Sequence, residues 1–346
     1  MKLLLFMLTL MSFSHASIRF KPWERTSNPS IMSKKFERKF SALPIIGQVT
    51  DLKKYWSSDY WPLFKGNINY RWNSPNPIGF KLSSPSYKTA RKMTLKELEG
   101  LAPSEKFDLY NGHFTYPLRK EVQTRVSPRR REWEGICHGW AAAALNHREP
   151  EPKIMTNPQG IKIPFGSSDI KAILSYYYAY HNSGVRTYQM GKRCNGRLAC
   201  SDDMNAGAFH IVLANKVGLS GQGFIADIEN GKEVWNQVIF NYDAKIKEKD
   251  LPPAADSAPG TVTVVRMLTK VRVVFNIVNN SWLPANGTIL QTFKDNDYEY
   301  DLDLDEEGKI IGGLWISKVR PDFLWMMRPV RNFGPKFSKL RKLLND

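Results

Sequence analysis

A chain of 346 residues, 42% hydrophobic with a formal charge of +17, can bury one large core and carry a smaller segment beside it. Beyond its first residues no stretch approaches the ~18 consecutive apolar residues of a membrane-crossing helix. The basic balance favours acidic surfaces, but no basic helix face, RNA-binding aromatic motif or zinc-finger spacing supports a nucleic-acid partner.

Lys2, the apolar run from Leu3 to Phe13 and the small residues Ser14 and Ala16 predict a signal peptide over residues 1–16 and a secreted or periplasmic protein. A pI near 9.6 then makes an acidic cell-envelope surface a candidate partner, with most of the charge on solvated faces. Residues 17 to about 60, rich in Lys, Arg, Ser and Pro, predict an extended or loosely docked segment. Its aromatic clusters, Tyr55-Trp56 and Tyr60-Trp61-Pro62-Leu63-Phe64, predict burial against the rest of the chain. Thr94-Leu95-Lys96-Glu97 has the form of a capping box for a helix that stops at Gly100; a second helix is predicted from Pro103 to Tyr110, ending at Asn111-Gly112. Arg129-Arg130-Arg131 is a processing site or an exposed basic linker.

Trp133 to Leu145 places Cys137 at the start of an alanine-rich helix, where free N–H groups and the macrodipole favour a thiolate. The alternative is a cysteine packed as a small hydrophobe. Three cysteines in an exported chain leave one over, and Cys194 and Cys200, separated by a short flexible turn, are the predicted disulfide. Cys137 is then the free thiol.

Further on, Ile154-Met155-Thr156 and Ile161-Lys162-Ile163 predict a hairpin about Asn157-Pro158-Gln159-Gly160. A helix follows, capped at Ser167-Ser168-Asp169, with Ile170, Ile173, Leu174, Tyr177 and Tyr178 on one face. From Ala208 onward the pattern predicts strands: Phe209 to Ala214, Phe224 to Asp227, Glu233 to Ile239 and Thr261 to Val278. Tyr298 to Asp305 alternates apolar with acidic, like half a calcium loop, but Gly312 stands where the bidentate Glu belongs, so a half-buried strand is predicted and no metal site. The pattern as a whole predicts an α+β fold, a helical half carrying the cysteine packed on an antiparallel sheet or barrel half carrying histidine and aspartate.

A thiol nucleophile needs a base, and the base an acceptor to hold its ring. His210, on the predicted strand after Asn205-Ala206-Gly207-Ala208, and Asp227, at the end of the next, are the candidates. His138 is set aside because neighbours on a helix do not face each other. The Cys137 backbone N–H is one candidate oxyanion donor; the Trp133 indole either supplies another or is ordinary core.

The Gly-Ile-Cys-His-Gly-Trp-Ala run, Asn205 to Asn215, and Val234-Trp235-Asn236-Gln237 together resemble the transglutaminase-elicitor family of secreted oomycete cell-wall transglutaminases and bacterial relatives. Leu101 to Asp108, Gly312-Gly313-Leu314-Trp315 and Pro321 to Trp325 continue the likeness. The resemblance implies a papain-like, transglutaminase-like cysteine acyltransferase whose Cys-His-Asp triad falls on Cys137, His210 and Asp227. It also implies an N-terminal accessory or pro-region over 17–125 ahead of a catalytic domain over 126–346. The family's surface peptide continues Pro-Val-Arg-Gly-Phe after Gln237; this chain has Val238 for the proline, Phe240 for the arginine and Asn241 for the glycine, which puts elicitor recognition in doubt. The expected function is an exported protein-glutamine γ-glutamyltransferase acting on proteins that offer glutamine and lysine, with Trp133, Trp140 and Trp235 as apolar cleft walls. No cofactor is expected and calcium dependence is left open. The rivals are a cysteine protease or glutamine deamidase with the same triad, and a non-catalytic basic surface-binding protein.

Overall fold

The computed structural model describes residues 25–75, 79–80, 83–193, 204–330 and 332–344. The predicted leader and the Cys194–Cys200 pair lie outside them. Eight helices are described: α1 Tyr87–Ala90, α2 Leu95–Glu99, α3 Pro103–Asn111, α4 Pro117–Gln123, α5 Cys137–Asn146, α6 Ser167–Tyr180, α7 Ala206–Leu213 and α8 Gly334–Phe337. The main sheet is antiparallel and open, in the order β4 (Thr187–Gly191), β10 (Phe323–Met327), β5 (Phe224–Asp227), β6 (Asn236–Leu251), β7 (Thr263–Val274), β8 (Phe293–Leu304), β9 (Ile310–Trp315), with β1 (Ile46–Gln48) added to β6 beyond the end of β5. The predicted hairpin forms separately from β2 (Lys153–Thr156) and β3 (Lys162–Phe165). This is the expected α+β class, as a sheet with two edges rather than a closed barrel.

Local signals set several helices as read from the sequence. Thr94 and Glu97 form the reciprocal capping box of α2. Pro103 opens α3, and Gly112 ends it in the left-handed conformation that glycine adopts without strain. One prediction fails: Phe209 to Ala214 is helical. Asn205 caps α7 by accepting from the Ala208 N–H at 3.1 Å, and the helix runs on into a π-helical turn over Ala214–Leu219. The segment is buried on every side, so its continuous apolar run carries no period that separates strand from helix. A glycine seats it: a Cβ on Gly207 would meet the Gly312 carbonyl oxygen at 2.0 Å, so α7 lies directly on the backbone of β9.

Of the two expectations for the N-terminal segment, burial of its aromatic clusters holds at Tyr55, Trp56 and Trp61, and loose docking fails for these residues. Trp56 and Trp61 are fully buried. The Trp56 indole donates to the His147 carbonyl and the Trp140 indole to the Trp56 carbonyl, both at 3.0 Å. The Tyr55 N–H bonds the Ala144 carbonyl and the Ile136 N–H bonds the Tyr60 carbonyl. Residues 55–60 thus run along α5 and satisfy backbone groups at both its ends. Two fully buried charge contacts add to this, Lys106 on Asp169 at 2.7 Å and Lys171 on Glu149, with Lys171 also donating to the Ser57 carbonyl at 2.9 Å. A fully desolvated ion loses several kcal/mol if its partner is removed. Residues of the predicted pro-region and of the predicted catalytic domain therefore share one core.

Two outcomes follow from this interlock. Trp56→Ala should destabilise the protein by about 3–5 kcal/mol, read by chemical denaturation. Trypsin should nick the exposed Arg129–Arg131 turn under native conditions, yet the two fragments should elute together and separate only in denaturant; fragments that part without denaturant would show that the region is detachable.

Candidate active site

Cys137 is the first residue of α5 and only 6% exposed. Its helix approaches α6 closely, because a Cβ on Gly139 would lie 2.1 Å from the Ser175 carbonyl oxygen. The Cys137 thiol donates to the Val234 carbonyl at 3.5 Å, and the Asn236 side-chain amide points its Nδ2 at the sulfur from 3.9 Å. Asn236 Oδ1 accepts from the Trp325 indole at 2.7 Å. An indole nitrogen can only donate, so this bond fixes which end of the Asn236 amide faces the sulfur.

Strand register assembles the group. Asp227 lies opposite both Asn236 and Phe323, and Trp325 is two residues along β10 from Phe323, so Asp227, Asn236 and Trp325 share the sheet face that meets α5. Asp227 Oδ1 accepts from the Trp235 N–H at 2.8 Å, while Oδ2 is buried with no hydrogen-bond partner. Burial, reinforced by Asp322 and Glu229 nearby, pushes the Asp227 carboxyl up to about 8.

The electrostatics of the thiol differ from the sequence expectation. Burial raises the Cys137 pKa, and the charge of Asp227 adds to the rise; hydrogen bonds from Asn236 and the His138 N–H oppose it without winning. The helix start supplies donors, but enclosure holds sulfur as a thiol in this state. Tyr60 and Trp235 meet edge-on beside it, their ring centroids 5.6 Å apart, and the Cys137 charge contributes to raising the Tyr60 pKa.

His210 does not join this group. It lies on α7, and its Nδ1 is 2.8 Å from the Tyr300 hydroxyl, which in turn is 2.8 Å from that of Thr269. Ile239, three residues along β6 from Asn236, projects to the opposite face; it pairs with Val273, and the alternate residues Val271, Thr269 and Met267 of β7 continue that face to Tyr300 of β8, opposite Met267. The sheet thus stands between His210 and Cys137. Complete burial pushes the His210 pKa down to about 4, and its Nε2 has no partner. The placement rested on reading Phe209–Ala214 as a strand beside β5, and the error in element type carries the imidazole to the wrong face.

Three other histidines are engaged elsewhere. His147 bonds the Tyr178 hydroxyl and His181 bonds Glu121, both at 2.8 Å. His138 packs on Tyr180 and contacts the Ala179 backbone. Of the three tryptophans expected at the cleft, Trp235 is beside the thiol and bonds Glu233 through its indole, whereas Trp140 is spent on the Trp56 carbonyl. Trp133 is half-buried in the turn ahead of α5. Sequence reasoning missed Asn236 as a polar partner of the sulfur, although it lies in the Val-Trp-Asn-Gln run, and missed Tyr60 and Trp325. Among the described residues no group of three or more His, Cys, Asp or Glu could hold a metal ion.

The transglutaminase elicitor family model matches residues 126–345. The chain belongs to the transglutaminase elicitor family. Its fold is similar to that of the GP42 transglutaminase from Phytophthora sojae, with a TM-score of 0.68 over 91% of this chain and 94% of that one at 22% identity. Comparison with curated proteins gives no match.

Two measurements probe the site without any assay of turnover. Asn236→Ala should move the pH dependence of Cys137 alkylation further upward, because the hydrogen bonds from Asn236 are among those that favour the thiolate; Trp325→Phe should move it the same way by less. An unmoved profile in both would mean that the amide does not act on the sulfur. Asp227 carries a folded-state pKa raised from the ordinary value of about 4, so its contribution to stability is fully present below about pH 4 and is lost as pH rises through about 8. Asp227→Asn should therefore gain on the wild type in denaturant melts at pH 9 relative to pH 5.

Proposed function

We propose that the protein is a protein-glutamine γ-glutamyltransferase that transfers the acyl group of a glutamine carboxamide to a primary amine through a thioester on Cys137. The observation that carries this reading is a free thiol at a helix start, faced by an oriented amide and an unsatisfied carboxyl, in a member of the transglutaminase elicitor family. In this scheme the Cys137 proton passes to the Asp227 carboxylate as sulfur attacks the carboxamide carbon. The tetrahedral oxyanion is met by the Asn236 Nδ2–H and backbone N–H groups at the start of α5. Ammonia then departs with the proton that Asp227 returns, leaving the thioester. An incoming amine gives its proton to the Asp227 carboxylate as it adds to the thioester, and the departing Cys137 sulfur takes that proton back, restoring the thiol. Tyr60 and Trp235 favour transfer over hydrolysis by excluding water, which at about 55 M otherwise outcompetes a millimolar amine. With its predicted leader, the enzyme would work outside the cytoplasm on proteins bearing glutamine and lysine.

Incubation with a glutamine-bearing protein and a tagged primary amine should release ammonia matched by covalent tag, and Cys137→Ala should abolish both. With hydroxylamine, already neutral at pH 7, as acceptor, the rate should rise with pH through about 8 as Asp227 ionises. Glutamate alone as product would indicate a deamidase, and cut peptide bonds a protease.

One observation favours a second reading, a non-catalytic surface-binding protein. Among the described residues no histidine side chain is brought against Cys137, and the thiol is held protonated. Wild type that is as inert as Cys137→Ala toward amine, water and peptide substrates alike would select it.

A further inference from the structure

The two arginines of β7 are paired: Arg266 with Asp301 and Arg272 with Asp295 make two hydrogen bonds each. On the sheet face away from Cys137 a different arrangement appears. A groove of about 680 Å3 is lined by Lys34, Arg186, Lys216 and Arg328, with Tyr188 and Met326 beside them, and among the described residues no carboxylate lines it. None of the four cations forms an ion pair among the described residues. Met326 pairs with Tyr188, next along β10 from the Trp325 that holds Asn236, so one strand serves the thiol on one face and the groove on the other.

The two arginines are fixed relative to each other. The Arg328 N–H donates to the Arg186 carbonyl at 3.2 Å, and both guanidinium groups lie over the Tyr188 ring, 4.9 Å and 5.7 Å from its centroid. Stacking on one ring orients two planar forks and leaves their N–H edges unpaired, the arrangement that suits tetrahedral oxyanions. Lys216 enters from the π-helical turn, half-buried, and its pKa is pushed down by desolvation with no partner to oppose it. Like charges gathered around one concavity repel each other unless an anion sits among them.

We propose that this groove is a binding site for sulfate or phosphate ester groups carried on an extended polysaccharide, and that it holds the protein on an anionic polymer while leaving the Cys137 face free. Nucleic acid is disfavoured by the same geometry. Single-strand binding relies on open aromatic faces for base stacking, and the groove's one aromatic ring already carries two guanidinium groups.

The test measures binding of the full chain to fluorescent sulfated dextran, to neutral dextran of equal length and to single-stranded DNA of matched charge, with inorganic phosphate as competitor. Sulfated dextran should bind and neutral dextran should not. Phosphate should displace the polymer better than chloride at equal ionic strength. The double variant Arg186→Ser/Arg328→Ser should weaken binding about tenfold or more, whereas Lys88→Ser/Lys92→Ser, which removes the same charge from exposed residues in and just past α1, should weaken it by less than about threefold. Unchanged thermal midpoints would establish that both doubles fold. Equal losses in the two variants, equal binding of both dextrans, or displacement by phosphate no better than by chloride would each overturn the proposal. DNA that binds more tightly than sulfated dextran, with the same sensitivity to the arginine pair, would overturn it in favour of a nucleic-acid groove. No arm depends on acyl transfer, so this site stands or falls separately from the proposed activity.

Discussion

The docking of residues 55–60 along the Cys137 helix is the constraint on which the rest of the structure depends. An α-helix leaves backbone groups unsatisfied at each end, and α5 has no side-chain cap at Ile136. The strap supplies what is missing. The Tyr60 carbonyl accepts from the N–H of Ile136, while Tyr55 and the Trp56 indole donate to the Ala144 and His147 carbonyls. Four successive alanines let the helix be buried on all sides, so position and orientation of Cys137 are fixed from outside the helix as much as from within it.

That constraint reaches the chemistry. The strap that caps the helix also brings Tyr60 against Trp235, so the elements that hold the sulfur in place also enclose it. Enclosure removes water from the thiol and raises the cost of ionising it, against the donors of the helix start. The same enclosure raises the carboxyl of Asp227. The thiol and the carboxyl are thus both biased toward their protonated forms by the same enclosure.

The eight-stranded sheet acts as a partition. Residues of opposite parity on β5, β6 and β10 serve different neighbours. Asp227, Asn236 and Trp325 turn toward α5, while Phe224, Ile239 and Leu324 turn toward α7 and the π-helical turn. His210 belongs to that second layer, hydrogen-bonded to Tyr300 and tilted against Phe40. Its burial as a neutral ring is a packing role, with stability that is present above the ordinary histidine pKa of about 6.5 and is lost as pH falls through about 4.

The sequence by itself determined the elements whose signals are local. The Thr94–Glu97 box, the Pro103 start and Gly112 stop, the hairpin about Asn157–Gly160, the helix after Gly166 and the strand through Tyr298 depend on caps, turns and periods written within a few residues, although that helix is buried on every face through Tyr178 and that strand buries Asp301 and Asp303 along with its apolar residues. Cys137 at a helix start and Asp227 at a strand end were legible for the same reason. Tertiary structure decided what such signals leave open. A fully apolar run such as Phe209–Ala214 has no solvent side to show its period, so its helical state, and the face on which His210 lands, were settled by packing on Gly312 and Tyr300. The lysine- and arginine-rich composition of the N-terminal stretch suggested loose docking and its aromatic clusters suggested burial; which of the two prevails was decided by tryptophan hydrogen bonds to carbonyls 84 and 91 residues away. Asn236 gained its place beside the sulfur only because antiparallel register put it opposite Asp227 and two strands from Trp325, a relation that no single stretch of sequence contains.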